Sequence, residues 1–559
     1  MAAAALAADR AHADPAIWIC RRADEAILGD AAALQAEGPR DRPLWGVPFA
    51  VKDNIDVAGM PTTAACPGFA TTPGTDALAV RRLLDAGAVL IGKTNLDQFA
   101  TGLVGTRTPF GIPRNVFDSK LVPGGSSSGS ACSVAAGIVP FALGTDTAGS
   151  GRVPAAFGNI IGLKPTVGSV SARGMVPACR SIDTISVFAR SVDEALAVQR
   201  IIAGFDPTDP YARRAPFPHL RRAALAAGRV AMGDVMSLCD PGVATAYQDA
   251  GAFLDAKPID IALFLEVANL LYEGPWVSER TAALRTVLET APDILYPATR
   301  AILEVGLHRL TVDAFDAFHV LQQARRQAAL LFARYDALLL PTAPFCPSLA
   351  EVAADPFGPN RRLGTFTNFA NLCDMAAFAV PIGSPAIGGV LLGPAWSEGR
   401  LAPLADSLHR HFATTVGGTL QRLPPPAEPD LLAADETALF CIGAHMSGLP
   451  LNSQLTAVGG RFLRETQTQP GYRLFALGDR PGMLRAADGG AIAGEVWALP
   501  TAAIGVLLAQ VPPPLGFGTV TLDDGPCLGF LAESAGVADA TDITHLGGWR
   551  AWLRSNSRD

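Results

Sequence analysis

The 559-residue chain has no lysine- or arginine-rich run and no basic stripe, and its net charge is −8. Nucleic acid and anionic membrane surfaces are therefore poor partners for it. It has no C-x-x-C pair either, and its nine cysteines (20, 66, 132, 179, 239, 346, 373, 441 and 527) are scattered and odd in number. That pattern argues against a disulfide framework and against a zinc ribbon, leaves no metal site to expect, and reads as reduced core thiols. Mean hydropathy is positive, yet no 18-residue apolar stretch is free of proline, charge or strand-like glycine breaks, so no membrane span is expected. The N-terminal MAAAALAADRAHADPAIW is interrupted by Asp9, Arg10 and Asp14 and so lacks the apolar centre of a signal peptide. These absences together predict a soluble cytoplasmic protein.

What is present is ample apolar material, 49% of the chain, at a length that calls for one large and one small folding unit. Through the first three quarters, short apolar strands alternate with helical patterns. Residues 88–91 follow a helix over 76–86, and residues 337–340 follow a long helix ending near Arg334. Such alternation predicts an α/β fold with a layered sheet. Pro424-Pro425-Pro426-Ala427-Glu428-Pro429 reads as a semi-rigid spacer. Beyond about Leu439 the texture changes to short strands such as 472–476, 494–497 and 519–522, with turn residues between them.

Residues 124–152, GGSSSGSACSVAAGIVPFALGTDTAGSGR, hold two glycine- and serine-rich loops separated by an apolar stretch. A surface linker would not carry the fourteen uncharged, mostly apolar residues of 131–144. Neither phosphate-cradling pattern, G-x-x-x-x-G-K-[ST] or G-x-G-x-x-G, occurs here. A serine hydroxyl is a poor nucleophile at neutral pH, and a lysine kept neutral by burial can serve as its base. Lys52 suits that role, because it stands at the polar end of the short apolar strand Gly46-Val47-Pro48-Phe49-Ala50-Val51. In the second loop, Thr147, Ala148, Gly149 and Ser150 offer backbone N–H groups that can converge on one oxygen, an oxyanion hole in outline. Ser126 in the first loop can relay a proton between Lys52 and Ser150, where glycine neighbours permit unusual backbone geometry.

These elements resemble the amidase signature family, whose cassette runs from a lysine after a short strand, through a G-G-S-S-x-G loop, to a G-[ST]-D-x-x-G-S-x-R loop. On that resemblance Lys52 is the base, Ser126 the bridging serine after a cis peptide, and Ser150 the acyl-accepting serine; the spacings of 74 and 24 residues agree. The resemblance implies an α/β/α layered fold with a central mixed sheet over 1–422, a proline-rich linker over 423–437, and a small β-rich domain over 438–559. It implies no cofactor.

Tyr272 and Arg280 lie in LLYEGPWVSER, where Gly274 ends one helix and Pro275 opens the next. Both can then face one cleft, where a phenol and a guanidinium fork suit a small carboxylate; alternatively Arg280 pairs at the surface and Tyr272 packs between helices. The segments 46–70, 144–166, 270–280, 443–452 and 543–553 together resemble the allophanate hydrolases, a specialised branch of the family. That resemblance implies that Tyr272 and Arg280 bind the carboxylate of allophanate. It also gives the C-terminal domain a γ-glutamylcyclotransferase-like fold, with its usual Y-G-S element replaced by Gly443-Ala444-His445 and no match to the cyclotransferase acid. His445 is the candidate acid or anion binder there, set against a purely structural histidine. No M-K-M-like biotinyl lysine is found, so a urea carboxylase is expected as a separate polypeptide. Transient contact with it and homodimer formation stay open, as do three other readings: a broad-specificity amidase, the A component of a tRNA-dependent amidotransferase, and a C-terminal domain that only assists assembly.

Overall fold

The computed structural model describes residues 1–226, 228–383 and 386–556. It divides into two compact units, the first comprising Met1–Ala215, Val230–Leu331 and Ala337–Pro426, and the second Pro216–Arg229, Phe332–Asp336 and Ala427–Asp559.

The first unit is built on eleven strands: β1 (Trp18–Arg21), β2 (Pro48–Lys52), β3 (Val89–Thr94), β4 (Phe141–Asp146), β5 (Ile161–Lys164), β6 (Thr184–Ala189), β7 (Val230–Gly233), β8 (Lys257–Ile259), β9 (Ala337–Pro341), β10 (Met375–Gly383) and β11 (Ile387–Pro394). They form one sheet in the order β1-β3-β2-β4-β6-β5-β10-β11-β9-β7-β8. The sheet is mixed: β2 runs parallel to both β3 and β4, while β6 is antiparallel to β4 and β5. Buried on both faces, β2 reads as an unbroken apolar run rather than an alternation. Phe49 on β2 stacks on Phe141 of β4 with ring centroids 5.5 Å apart. The helix Ser128–Ala135, buried along its whole length, packs against β2 and β4. Its serine and alanine side chains allow that close approach.

The second unit is β-rich. A five-stranded sheet includes Glu436–Cys441, Ala493–Pro500 and Gly525–Ala532, and a separate three-stranded sheet includes Tyr472–Leu477. Its core gathers Leu439, Phe440, Phe462, Trp497, Phe530 and Trp549. The segment Pro216–Arg229, distant in sequence, belongs here, and Ala224 donates its N–H to the Phe462 carbonyl at 2.9 Å. Arg461 forks onto Glu436 at 2.9 and 2.7 Å and also donates to the Asp430 and Leu431 carbonyls. This fully partnered buried ion pair ties the start of the unit to its sheet.

Among the described residues no helix is long and apolar enough to cross a membrane, and no cluster of three or more metal-ligating side chains occurs. All nine cysteines are free thiols.

Candidate active site

Lys52 is the last residue of β2 and is fully buried. Its Nζ donates to Ser126 Oγ and to Thr145 Oγ1, both at 2.7 Å. Burial disfavours the ammonium and pushes its pKa down to about 7, although Asp97, Asp146 and Asp183 pull the other way. A large fraction of the side chain is therefore a neutral amine at physiological pH. The apolar strand read from the sequence delivers the lysine, and the missed partner is Thr145, one residue before the Asp146 that ends β4.

The Gly125-Ser126 peptide is cis. Asp97 braces this loop: its N–H donates to the Ser126 carbonyl at 3.0 Å, and its carboxylate accepts the Gly105 and Arg107 N–H groups at 2.9 Å each. A Cβ at position 125 would lie 2.1 Å from Asp97 Oδ2, so only glycine fits against the brace. Nothing in NLDQFA marks Asp97 in sequence, since its role depends on a loop nearly thirty residues away.

Ser150 is 2% exposed and sits in the turn after β4. This turn is pinned by Asp146, whose carboxylate accepts Gly151 N–H at 3.0 Å and the Arg152 fork at 2.9 and 2.8 Å. Burial alone would raise the Asp146 pKa, but Arg152 holds it below the ordinary carboxylate range. Arg152 reaches on to the Thr367 carbonyl at 3.0 Å and Asn371 Oδ1 at 3.1 Å. Gly149 has φ 139°, and a Cβ there would lie 2.4 Å from Thr367 Oγ1, so the turn needs glycine. The backbone N–H groups of Ala148, Gly149 and Ser150 meet no acceptor among the described residues, a set of free donors beside a hydroxyl. The Thr147 N–H is equally without an acceptor among the described residues, while its hydroxyl donates to Asp183, whose pKa burial pushes up to about 6.

Tyr272 lies in the turn between the helices Ala262–Asn269 and Trp276–Thr290, and Arg280 lies in the second turn of the latter. Arg280 is 1% exposed, its Cζ stands 5.5 Å from the Tyr272 ring centroid, and its Nη1 donates to Thr101 Oγ1 at 2.9 Å and to the Ala100 carbonyl at 3.2 Å. Its Nη2 and the Tyr272 hydroxyl are buried with no hydrogen-bond partner among the described residues. A buried donor left unpaired costs on the order of 1–3 kcal/mol, and the Cys179 thiol lies close enough to interact with the Arg280 guanidinium. The surface pairing weighed from the sequence does not occur. Arg280 and the Lys52 Nζ are close enough for the guanidinium to lower the lysine pKa.

In the second unit, His445 follows the strand Glu436–Cys441. Its ring stacks on Phe530 with centroids 5.0 Å apart, and Nε2 lies 3.0 Å from Gln454 Oε1. Burial lowers its pKa, so the imidazole is neutral at pH 7. It lines a cavity of about 90 Å³ with Leu451, Gln454, Arg480 and Phe530. The unit also holds a buried carboxylate that is fully engaged within the chain. Glu495 accepts from Ser447 N and Oγ at 2.7 and 2.9 Å, from Trp497 Nε1 at 3.0 Å and from Arg550 Nη2 at 2.6 Å.

A mixed sheet that presents a buried lysine to a serine loop, with a second serine in a glycine turn beside it, defines an amidase-type hydrolase fold. The chain belongs to the amidase family, whose model matches residues 3–402. Residues 437–554 match the model described as the allophanate hydrolase C-terminal domain. The urea amidolyase of Saccharomyces cerevisiae is 40% identical over 96% of this chain, which spans only 31% of that relative. The urea amidolyase of Lachancea kluyveri is 39% identical over 97% of this chain, which again spans 31% of the relative. Among solved structures, an allophanate hydrolase variant from Kluyveromyces lactis aligns with a TM-score of 0.75 at 40% identity, covering 97% of this chain and 93% of that one.

Proposed function

We propose that this chain is an amidohydrolase that cleaves allophanate, the N-carboxylated form of urea. The observation that carries the reading is the pairing of a lysine–serine cassette with a buried phenol and guanidinium, each with a donor that lacks a hydrogen-bond partner among the described residues. The first supplies amide hydrolysis and the second selects a small anion. Similarity to allophanate hydrolase along nearly the whole chain supports the same substrate.

Ser150 Oγ attacks the terminal ureido carbonyl of allophanate. Its proton passes to Ser126, whose own proton goes to neutral Lys52. The Thr147, Ala148, Gly149 and Ser150 N–H groups supply the donors for the developing oxyanion, and each well-aimed donor contributes about 10²- to 10³-fold. Lys52 returns the proton through Ser126 to the leaving nitrogen, releasing ammonia and forming the acyl-enzyme. Water, deprotonated along the same relay, then frees N-carboxycarbamate, which breaks down to ammonia and carbon dioxide. Tyr272 and Arg280 hold the carboxylate in place throughout.

His445 is kept as the candidate acid or anion binder for the carboxylated product in the second unit, supported by its place in the lining of a cavity with Arg480, while the burial that lowers its pKa works against a charged imidazolium. A urea carboxylase supplies the substrate and is a transient partner, a reading supported by the urea amidolyase relatives, of which this chain spans 31%. Self-association is proposed through the first unit, where Leu310, Val312, Phe315 and Phe318 are each at least half exposed. The deciding experiment is ammonia release from allophanate, malonamate, urea and acetamide. The expected order places allophanate first and malonamate second, with urea and acetamide far behind. Equal rates on acetamide would overturn the specificity.

A further inference from the structure

Arg107 is 2% exposed and stands in GLVGTRTPFG, away from every motif discussed above. Its backbone N–H is fixed on Asp97, the residue that braces the Ser126 loop. Its Nη1 donates to the Thr101 carbonyl at 2.8 Å and its Nη2 to the Pro356 carbonyl at 2.7 Å. The Nε–H has no hydrogen-bond partner among the described residues. Thr101 thus joins two guanidinium groups, holding Arg107 through its carbonyl and Arg280 through its hydroxyl.

Arg107 and Tyr272 also line the same cavity of about 320 Å³, with Val277, Ile302 and Phe357 as apolar walls. Arg309, Arg361 and Glu273 line it too, the last two paired at 3.1 Å, while Arg280 reaches this region through Thr101 rather than as part of the lining. Three buried polar groups in this region therefore lack a hydrogen-bond partner among the described residues: Arg107 Nε, Arg280 Nη2 and the Tyr272 hydroxyl. Two are obligate donors and the third can donate. An apolar ligand would leave all three unsatisfied, and a cation would meet two fixed positive charges. A carboxylate, with about four lone-pair sites, suits such a set.

We propose that Arg107 is a specificity-determining residue that joins Tyr272 and Arg280 in receiving the substrate carboxylate through its free Nε–H. This rests on the allophanate reading above and extends it to a residue that lies outside the amidase cassette. Arg107 takes no part in bond making and acts on which amide is accepted.

The test uses the full chain as wild type, Arg107→Gln, Arg107→Lys and Arg280→Lys. Each is measured for kcat/KM on malonamate and on propionamide, which lacks the carboxylate, with malonate as a competitive inhibitor. The expected result is that Arg107→Gln lowers the malonamate-to-propionamide ratio at least about tenfold and weakens malonate inhibition by a similar factor. Arg107→Lys should fall between, because it keeps charge but loses the fixed Nε–H. If Arg107→Gln fails to fold, judged by its thermal transition, Arg107→Lys carries the measurement with the same expected direction. An unchanged ratio and unchanged malonate inhibition overturn the proposal, as does a parallel loss on both amides in a folded variant. If Arg280→Lys removes the anion preference and both Arg107 variants keep it, only the role of Arg107 fails. If the wild type prefers no anion at all, the allophanate reading fails with it.

Discussion

Two corners of the first unit handle polar groups in opposite ways. At the Lys52 corner the protein provides the partners: Lys52 has Ser126 and Thr145, Asp146 has Arg152 and Gly151, and Asp97 has two backbone N–H groups. At the Tyr272 corner the Tyr272 hydroxyl, Arg280 Nη2 and Arg107 Nε are buried and left without hydrogen-bond partners among the described residues. The difference separates two demands. Groups that make and break bonds must be held within a few tenths of an ångström, which needs a satisfied network. Groups that choose a substrate must keep their strongest donors free, which costs stability until the ligand arrives. The free N–H groups of the 147–150 turn are the exception at the Lys52 corner, since they too await an oxygen from the substrate.

The sharpest way to break the comparison is to delete one member of the satisfied corner. Ser150→Ala should lower turnover by at least about 10³-fold while leaving the fold intact, because only a hydroxyl is removed. Lys52→Ala and Ser126→Ala should each be similarly severe, and the double variant no worse than either alone, since groups acting as one relay do not add. Steady-state ammonia release on allophanate reads this directly. A Ser150→Ala protein retaining a tenth of its activity would remove the serine from the reaction.

The two corners differ in legibility too. The Lys52 corner can be read from the sequence because its chemistry is local: a lysine closing an apolar strand, and hydroxyls beside glycines. Even so, the partners that hold it come from elsewhere. Thr145 is hidden inside a motif read for its glycines, and Asp97 and Asn371 act from loops and helices brought close only by the sheet order. The Gly-Pro break in the sequence marks the turn correctly, but the first helix stops at Asn269 rather than at Gly274, so Tyr272 lies in the turn itself and Arg280 in the helix beyond it. What no sequence pattern can express is that their polar ends stay unpartnered, since this depends on what is absent around them. Arg107 escapes sequence reading for the same reason. In the second unit, His445 is visible as a departure from an expected motif, whereas Glu495, buried 50 residues further on in a strand, carries no local signal. That Pro216–Arg229 joins the second unit is equally silent, because the segment has no periodicity to announce it.

A smaller and more selective perturbation is Lys52→Met, which separates the chemical role of the amine from its cost. The folded lysine titrates near 7 and the unfolded one near 10.5. Between those values the unfolded state binds more protons, so stability rises with pH across the window. Below about 7 both states are protonated, and the full penalty for a buried ammonium is present. Relative to the wild type, Lys52→Met should therefore gain stability as the pH falls from 10.5 to 7, with the shift complete below about 7. Denaturant midpoints at pH 6, 8 and 10 test this. The wild-type rate should fall off on the acid side with a midpoint near 7, as Lys52 becomes protonated and loses its capacity to accept. A stability difference independent of pH would mean that Lys52 is charged in the folded state, and the acid limb would then belong to another group.

The smallest effect tests the unsatisfied corner by its own logic. Tyr272→Phe removes a hydroxyl that has no hydrogen-bond partner among the described residues and leaves the ring over which Arg280 lies. Removing a group from a satisfied network destabilises; removing an unsatisfied buried group should not. We expect the free protein to gain about 1 kcal/mol from the change, seen as a slightly higher thermal midpoint. Malonate should reverse the order. It binds only the folded state and contributes stability in proportion to its affinity, and the wild type has one more donor to offer it. With saturating malonate the wild type should thus gain more than Tyr272→Phe, so the two melting curves cross as malonate is added. Thr145→Val provides the contrast, since losing the acceptor for Lys52 Nζ should destabilise the protein with or without malonate. If Tyr272→Phe is destabilising in the free protein, the phenol has a structural partner, and the contrast between the two corners does not hold at this residue.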